Sequence, residues 1–150
     1  MVVEFTFRAC PSFRVATVAQ SGPWKEAKLR AGFRDITAWA KKNGVRTGRW
    51  FLQEGRGNRW IVGIEVKGKA RSQGRVRLRT FPAATVATAV FDPDVVAPHV
   101  IYHGLIDWLR WQRKEGKIQR VLSSREVYRG DPWSDPKAWA HAEVQFVVRK

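Results

Sequence analysis

Two stretches of the chain repeat each other in order, and an internal repeat constrains a fold more than any single residue does. FRACPSFRVATV at 7–18 matches LRTFPAATVATA at 78–89 at an offset of 71, with Arg8 on Arg79, Pro11 on Pro82 and Val15-Ala16-Thr17 on Val86-Ala87-Thr88. FRDITAWAKKNG at 33–44 then meets LIDWLRWQRKEG at 105–116 at an offset of 72, with Ile36 on Trp108, Trp39 on Trp111 and Gly44 on Gly116. A duplicated unit follows, with copies at about 5–67 and 76–149 in one domain spanning 1–150.

Each copy has the same local grammar. A strand comes first, Phe5 to about Ala19 and Val76 to about Phe91, interrupted by Pro11 or Pro82. Proline lacks the N–H a ladder needs, so an edge position or a bend is expected there. A helix follows, starting near Ser21-Gly22-Pro23 in copy one and near Pro98 in copy two. Their apolar stripes are Leu29, Phe33, Ile36, Ala40 and Ile101, Leu105, Trp108, Leu109. Lys41 and Lys42, or Arg113 and Lys114, close the helices before Gly44 and Gly116. Two more strands follow: 49–54 and 59–67 around a Gly55-Arg56-Gly57-Asn58 turn, and 120–128 and 142–149 around the longer link 129–141. Residues 67–75 read as a flexible basic linker between the copies. The predicted class is α+β: duplicated β-α-β-β units with pseudo-two-fold symmetry and an antiparallel sheet carrying its helices on one face.

Composition narrows the function classes. No apolar run reaches the roughly 18 residues of a membrane span. MVVEFTFRACPSFR is too short and interrupted for a signal peptide, and the lone Cys10 makes no internal disulfide, so a cytoplasmic protein is expected. His99 and His103 stand four residues apart on the second helix, but no third ligand accompanies them, so no metal and no cofactor are assigned. There is no Ser-His-Asp constellation, phosphate loop or CxxC, and no catalytic residue is assigned. The eight Trp exceed what a core needs and suggest aromatic walls around a ligand.

Strand alternation puts Ser124, Glu126 and Tyr128 on one face, with Arg125 and Val127 on the other. A buried carboxylate needs a partner. The plain alternative is an exposed Glu126 paired with one of the 28 basic residues. Glu54 falls on Glu126 at the offset of 72, so two carboxylates flanking a pocket stand against a hairpin surface charge for Glu54. Trp50 shares strand parity with Glu54, and Trp60 begins the alternating face Trp60, Val62, Ile64, Val66.

Ser124-Arg125-Glu126-Val127-Tyr128-Arg129-Gly130-Asp131-Pro132 resembles the E-x-Y-x-x-D-P signature of the GyrI-like small-molecule-binding domain, which is also the effector-binding domain of some AraC-type and MerR-type regulators. Arg79-Thr80-Phe81-Pro82-Ala83 with Val86-Ala87, and Gly104 to Leu109, resemble that family's proline strand and its Trp-containing helix. The resemblance covers nearly the whole chain. It implies a duplicated strand-helix-strand-strand fold and a pocket between the halves for lipophilic, often cationic molecules, with Glu126 at its floor. Glu126, Tyr128, Trp50, Trp60 and Glu54 are the candidate ligand-binding residues. The expected role is a stand-alone sequestering or sensing protein of the multidrug-binding type. Some members of the family hydrolyse reactive small molecules, and the hydrolase alternative would use Glu126 on a water and Tyr128 on a leaving oxygen.

The net charge of +15 is more basic than the resemblance implies. Residues 41–80 carry 12 Lys and Arg against Glu54 and Glu65, a local +10, densest at Arg71, Arg75, Arg77 and Arg79. These four are the candidate polyanion-binding residues, for weak contact with nucleic acid or an acidic protein, and the other alternative function is a basic nucleic-acid- or gyrase-associated binding protein. Without a recognition helix, such contact is salt-dependent and poorly sequence-selective.

Overall fold

The computed structural model describes residues 3–55 and 57–150, so Arg56 of the first hairpin turn lies outside the described residues. The class is α+β, with eight antiparallel strands and three helices among the described residues. The order strand, strand, helix, strand, strand occurs twice, the second time with a short extra helix between the last two strands. The chain divides into two compact units, Ser12–Pro82 and Met1–Pro11 with Ala83–Lys150.

The boundaries of these units fall at the prolines. Each long first strand expected from the sequence is two strands: β1 (Thr6–Cys10) and β2 (Phe13–Ser21), then β5 (Arg77–Phe81) and β6 (Ala84–Phe91). The segment before each proline pairs with the sheet of the other copy. β1 pairs with β6, and β5 pairs with β2. Both short strands lie at sheet ends, where a neighbouring proline leaves no central ladder position empty.

Unit Ser12–Pro82 has the strand order β3 (Arg46–Glu54), β4 (Arg59–Lys67), β2, β5. Helix α1 (Glu26–Asn43) packs on β2 and β4 through Leu29, Phe33, Ile36, Trp39 and Ala40. It begins later than the Pro23 signal suggests, because Ser21 is still paired with Arg59 in the β2–β4 ladder. Gly44 ends it in the left-handed conformation at φ 62, where a Cβ is disfavoured. Residues 67–75 are not a free linker: the Trp39 indole donates to the Arg71 carbonyl at 3.0 Å, Gln73 and Val76 exchange backbone bonds, and Arg75 reaches Asp35 at 3.3 Å.

A bulge between Thr47 and Trp50 bends β3. Arg49 there forks onto Glu65, Nε to Oε1 at 3.1 Å and Nη2 to Oε2 at 3.2 Å. Its guanidinium also sits 4.9 Å from the Phe13 ring centre. Burial alone would raise the Glu65 carboxyl, but the hydrogen bonds and charge of Arg49 outweigh it and hold the group below the usual range. The stability this pair supplies is therefore present above the ordinary glutamate pKa and fades as pH falls.

Unit Met1–Pro11 with Ala83–Lys150 has the order β1, β6, β8 (Ala142–Arg149), β7 (Arg120–Tyr128). Helix α2 (Pro98–Lys114) buries Ile101, Leu105 and Leu109 against Ala89, Val144, Phe146 and Val148. The link 129–141 contains a third helix, α3 (Pro136–Ala140). Trp111, the repeat partner of the buried Trp39, is 61% exposed, since no loop crosses it as Arg71 crosses Trp39. No helix among the described residues is long and apolar enough to cross a membrane.

Gly32 sets how closely α1 approaches its sheet. A Cβ there would come 2.6 Å from Val62 Cγ2 and 2.8 Å from Gln20 Nε2. Gly32→Ala gains about 1 kcal/mol of helix propensity but incurs an overpacking cost of about 1–3 kcal/mol. The net expectation is a lower urea midpoint. A raised midpoint would mean the helix stands off the sheet.

Candidate functional site

Glu126 lies on the face of β7 that looks toward α2, in register with Val144. Its half-buried carboxylate accepts two phenol hydroxyls: Tyr102 Oη to Oε1 at 2.6 Å and Tyr128 Oη to Oε2 at 2.9 Å. Both phenol rings pack on the apolar core of this unit, and Tyr102 meets Phe146 edge to face at 6.1 Å. Among the described residues Glu126 makes no ion pair, although the chain carries 28 Lys and Arg. The site thus keeps a carboxylate whose charge is solvated by neutral donors. The Tyr128 hydroxyl is pushed far above its ordinary value, first by burial and then by the adjacent Glu126 charge and hydrogen bond.

The link after β7 completes the cluster. Asp131 accepts the Trp133 N–H at 2.9 Å, and the Asp131 carbonyl accepts the Asp135 N–H at 2.9 Å. Asp135 then caps α3 through the Lys137 N–H at 2.9 Å, with Pro136 in the first turn. This turn carries Trp139 to Tyr128, the two rings lying parallel within 2° with centroids 6.3 Å apart. The Asp-Pro of the motif is therefore a turn-former that sets an aromatic wall beside the strand carboxylate.

The opposite face of β7 is also polar. Arg125 is buried and donates through Nε to Gln145 Oε1 at 2.7 Å. Gln145 Nε2 reaches Glu143 Oε2 at 2.6 Å, where Thr88 Oγ1 at 2.7 Å and Arg8 Nη2 at 2.6 Å converge. This network neutralises its own carboxylate, unlike Glu126.

The remaining sequence candidates separate into two groups. Glu54, Trp60 and Arg79 line one pocket of about 490 Å³ in unit Ser12–Pro82, together with Gln53 and Arg59. Trp50 lies on the same face of β3 as Glu54 but outside that lining, and stacks on Phe33 of α1 at 4.4 Å, as a core residue. Strand registers also alter the symmetry of the carboxylates. Val18 and Ala89, 71 apart, pair with Val62 and Val144, and these pair in turn with Leu52 and Glu126. Leu52, not Glu54, therefore occupies the position equivalent to Glu126, and Glu54 corresponds to Tyr128. Arg71, Arg75, Arg77 and Arg79 are all exposed. His99 and His103 stand at the exposed start of α2, their ring centres 6.5 Å apart.

Sequence reasoning missed Tyr102 and Trp139. Tyr102 had a signal: it falls between Ile101 and Leu105 on the apolar stripe, where a phenol needs an acceptor. Trp139 had only the Asp135-Pro136 start of a helix too short to show periodicity.

No family model matches the chain, and no curated protein matches it significantly. Solved structures do. The C-terminal domain of EcmrR aligns with 100% of this chain and 99% of its own, at TM-score 0.74 and 18% identity. A hydrolase from Listeria innocua aligns over 97% of this chain and 91% of its own, at TM-score 0.60 and 11% identity. SAV2435, in a structure bound to tetraphenylphosphonium, aligns over 97% and 94%, at TM-score 0.54 and 10% identity. The chain shares its fold with these proteins, and it is the fold that the GyrI-like resemblance implies.

Tyr102→Phe leaves Tyr128 as the sole tyrosine, so its ionisation can be followed at 295 nm. The folded variant should show no midpoint near the ordinary 10.0. A tyrosine raised in the folded state contributes stability that is present below its unfolded pKa and is lost as pH rises above it. Resistance to denaturant should therefore decline from about pH 10 upward. An ordinary midpoint in the folded protein would contradict the buried Tyr128–Glu126 contact.

Proposed function

We propose that this chain is a small-molecule-binding domain whose ligand is a lipophilic aromatic cation, held at Glu126. The observation that carries this is the half-buried carboxylate of Glu126, which accepts from Tyr102 and Tyr128 beside the Tyr128–Trp139 stack and makes no ion pair among the described residues, in a chain of net charge +15. A cation there takes the place of phenol donors and gains a full counter-charge. The surrounding rings supply cation–π and stacking contacts of about 0.5–2 kcal/mol each. The apolar walls lower the local dielectric, so the pair interacts more strongly than in water. The positive charge of the whole chain repels cations at long range, but that field is screened within about 10 Å at 0.1 M salt. The binding of tetraphenylphosphonium by SAV2435, on the same fold, supports this choice of ligand class.

Glu126→Gln keeps the shape and removes the charge. It should weaken tetraphenylphosphonium by roughly 1.5–3 kcal/mol, the scale of a charge-assisted hydrogen bond, while a neutral triphenylphosphine oxide barely changes. Trp fluorescence titration reads both. Equal losses, or none, would reduce Glu126 to a structural role.

A second role, weak polyanion binding, is proposed for the exposed Arg71, Arg75, Arg77 and Arg79. Only Arg75 of the four is engaged in an ion pair among the described residues, and Asp35 opposite it is itself exposed. Replacing Arg75, Arg77 and Arg79 by Ala should bring heparin elution to lower salt, since each arginine withdrawn from a polyanion loses its counterion-release contribution, about 0.9 of the salt slope on B-DNA. Unchanged elution would remove this role.

A further inference from the structure

A second cavity, of about 370 Å³, opens beside the C-terminal half of α2. Its floor is the buried Leu109, Ile118 and Phe146, and Arg110, Arg113 and Arg120 also line it. The size lies within the range of small-ligand sites, about 300–1,000 Å³. Its charge is opposite to that of the Glu126 cluster.

Three observations concern those guanidinium groups. Among the described residues, Arg113 and Arg120 have no ion pair, and Arg110 has only an exposed one to Asp107 at 3.6 Å. Arg120 is the direct cross-strand partner of Arg149, so two like charges face each other where β7 meets β8. Such a pair is destabilising by itself. The segment from 110 to 120 adds Lys114 and Lys117, with Glu115 its only acid. The carbonyl end of α2 contributes about half a negative charge, which several full positive charges outweigh.

We propose that this cavity binds a compact lipophilic monoanion, a single carboxylate or sulfonate on an apolar body. The body fills the floor of Leu109, Ile118 and Phe146. The anion sits among Arg113 and Arg120 and relieves the Arg120–Arg149 opposition. Of the groups around Glu126 this site shares only Phe146, and it is independent of the cation reading.

The probe is 2-naphthalenesulfonate, measured by calorimetry in about 0.15 M NaCl, where the Debye length of about 8 Å suppresses the field of distant charges. The wild-type chain should bind it. Arg113→Gln with Arg120→Gln should weaken it by about tenfold or more, the scale of a charge-assisted hydrogen bond. The neutral 2-naphthylmethanol should be unaffected by the same change. Arg34→Gln with Lys41→Gln, which removes two charges from α1, should leave sulfonate affinity intact, as should Glu126→Gln. No binding by the wild type overturns the proposal. So does an equal loss in the α1 variant, an equal loss for the alcohol, or a loss in Glu126→Gln.

Discussion

The carboxylate of Glu126 sets the terms for its half of the molecule. A charge on the helix-facing side of a strand faces a desolvation cost of several kcal/mol unless donors replace the lost water. Two phenols do so here, one from α2 and one two residues along the same strand. Hydrogen bonds to a charged group are each worth about 1.5–3 kcal/mol, the same order as that cost. That choice of partner matters for the proposed cation binding. An arginine in place of the phenols would neutralise the site, whereas hydroxyls satisfy its geometry and leave its charge.

The chain demonstrates the contrast on the other face of the same strand. Arg125, Gln145, Glu143, Thr88 and Arg8 form a connected network in which the acid is matched by base. It fastens β1 to the sheet of β6 and β8, beside the handover at Pro11. One face of β7 therefore commits its polar groups to structure. The other holds a carboxylate that accepts from two neutral phenols beside the Tyr128–Trp139 stack.

Much of this was legible in the sequence. The repeat announced two copies of one unit, both helices ended at their basic last turns, and Glu126 with Tyr128 fell on a common face by simple alternation. What was not legible has identifiable physical causes. Proline signalled an interruption, but whether the strand bends or changes sheets depends on long-range pairing that no local pattern encodes. The constant offset broke down after the helices, because the link lengths differ and β3 and β7 each carry a bulge. Glu54 was thereby matched to Glu126, while the ladder matches Leu52. Trp50 and Trp39 went to the core because α1 and the 67–75 loop supply surfaces for them, and a count of tryptophans cannot distinguish a wall from a filling.

The central claim is that an uncompensated carboxylate, cradled by phenols, selects a lipophilic cation. A crystal structure of the chain with tetraphenylphosphonium tests it directly. The phosphonium should be found against Glu126, with at least one phenol turned away from the carboxylate and rings stacked on Trp139 or a tyrosine. A phosphonium bound elsewhere, with both phenol hydrogen bonds to Glu126 intact, would contradict it.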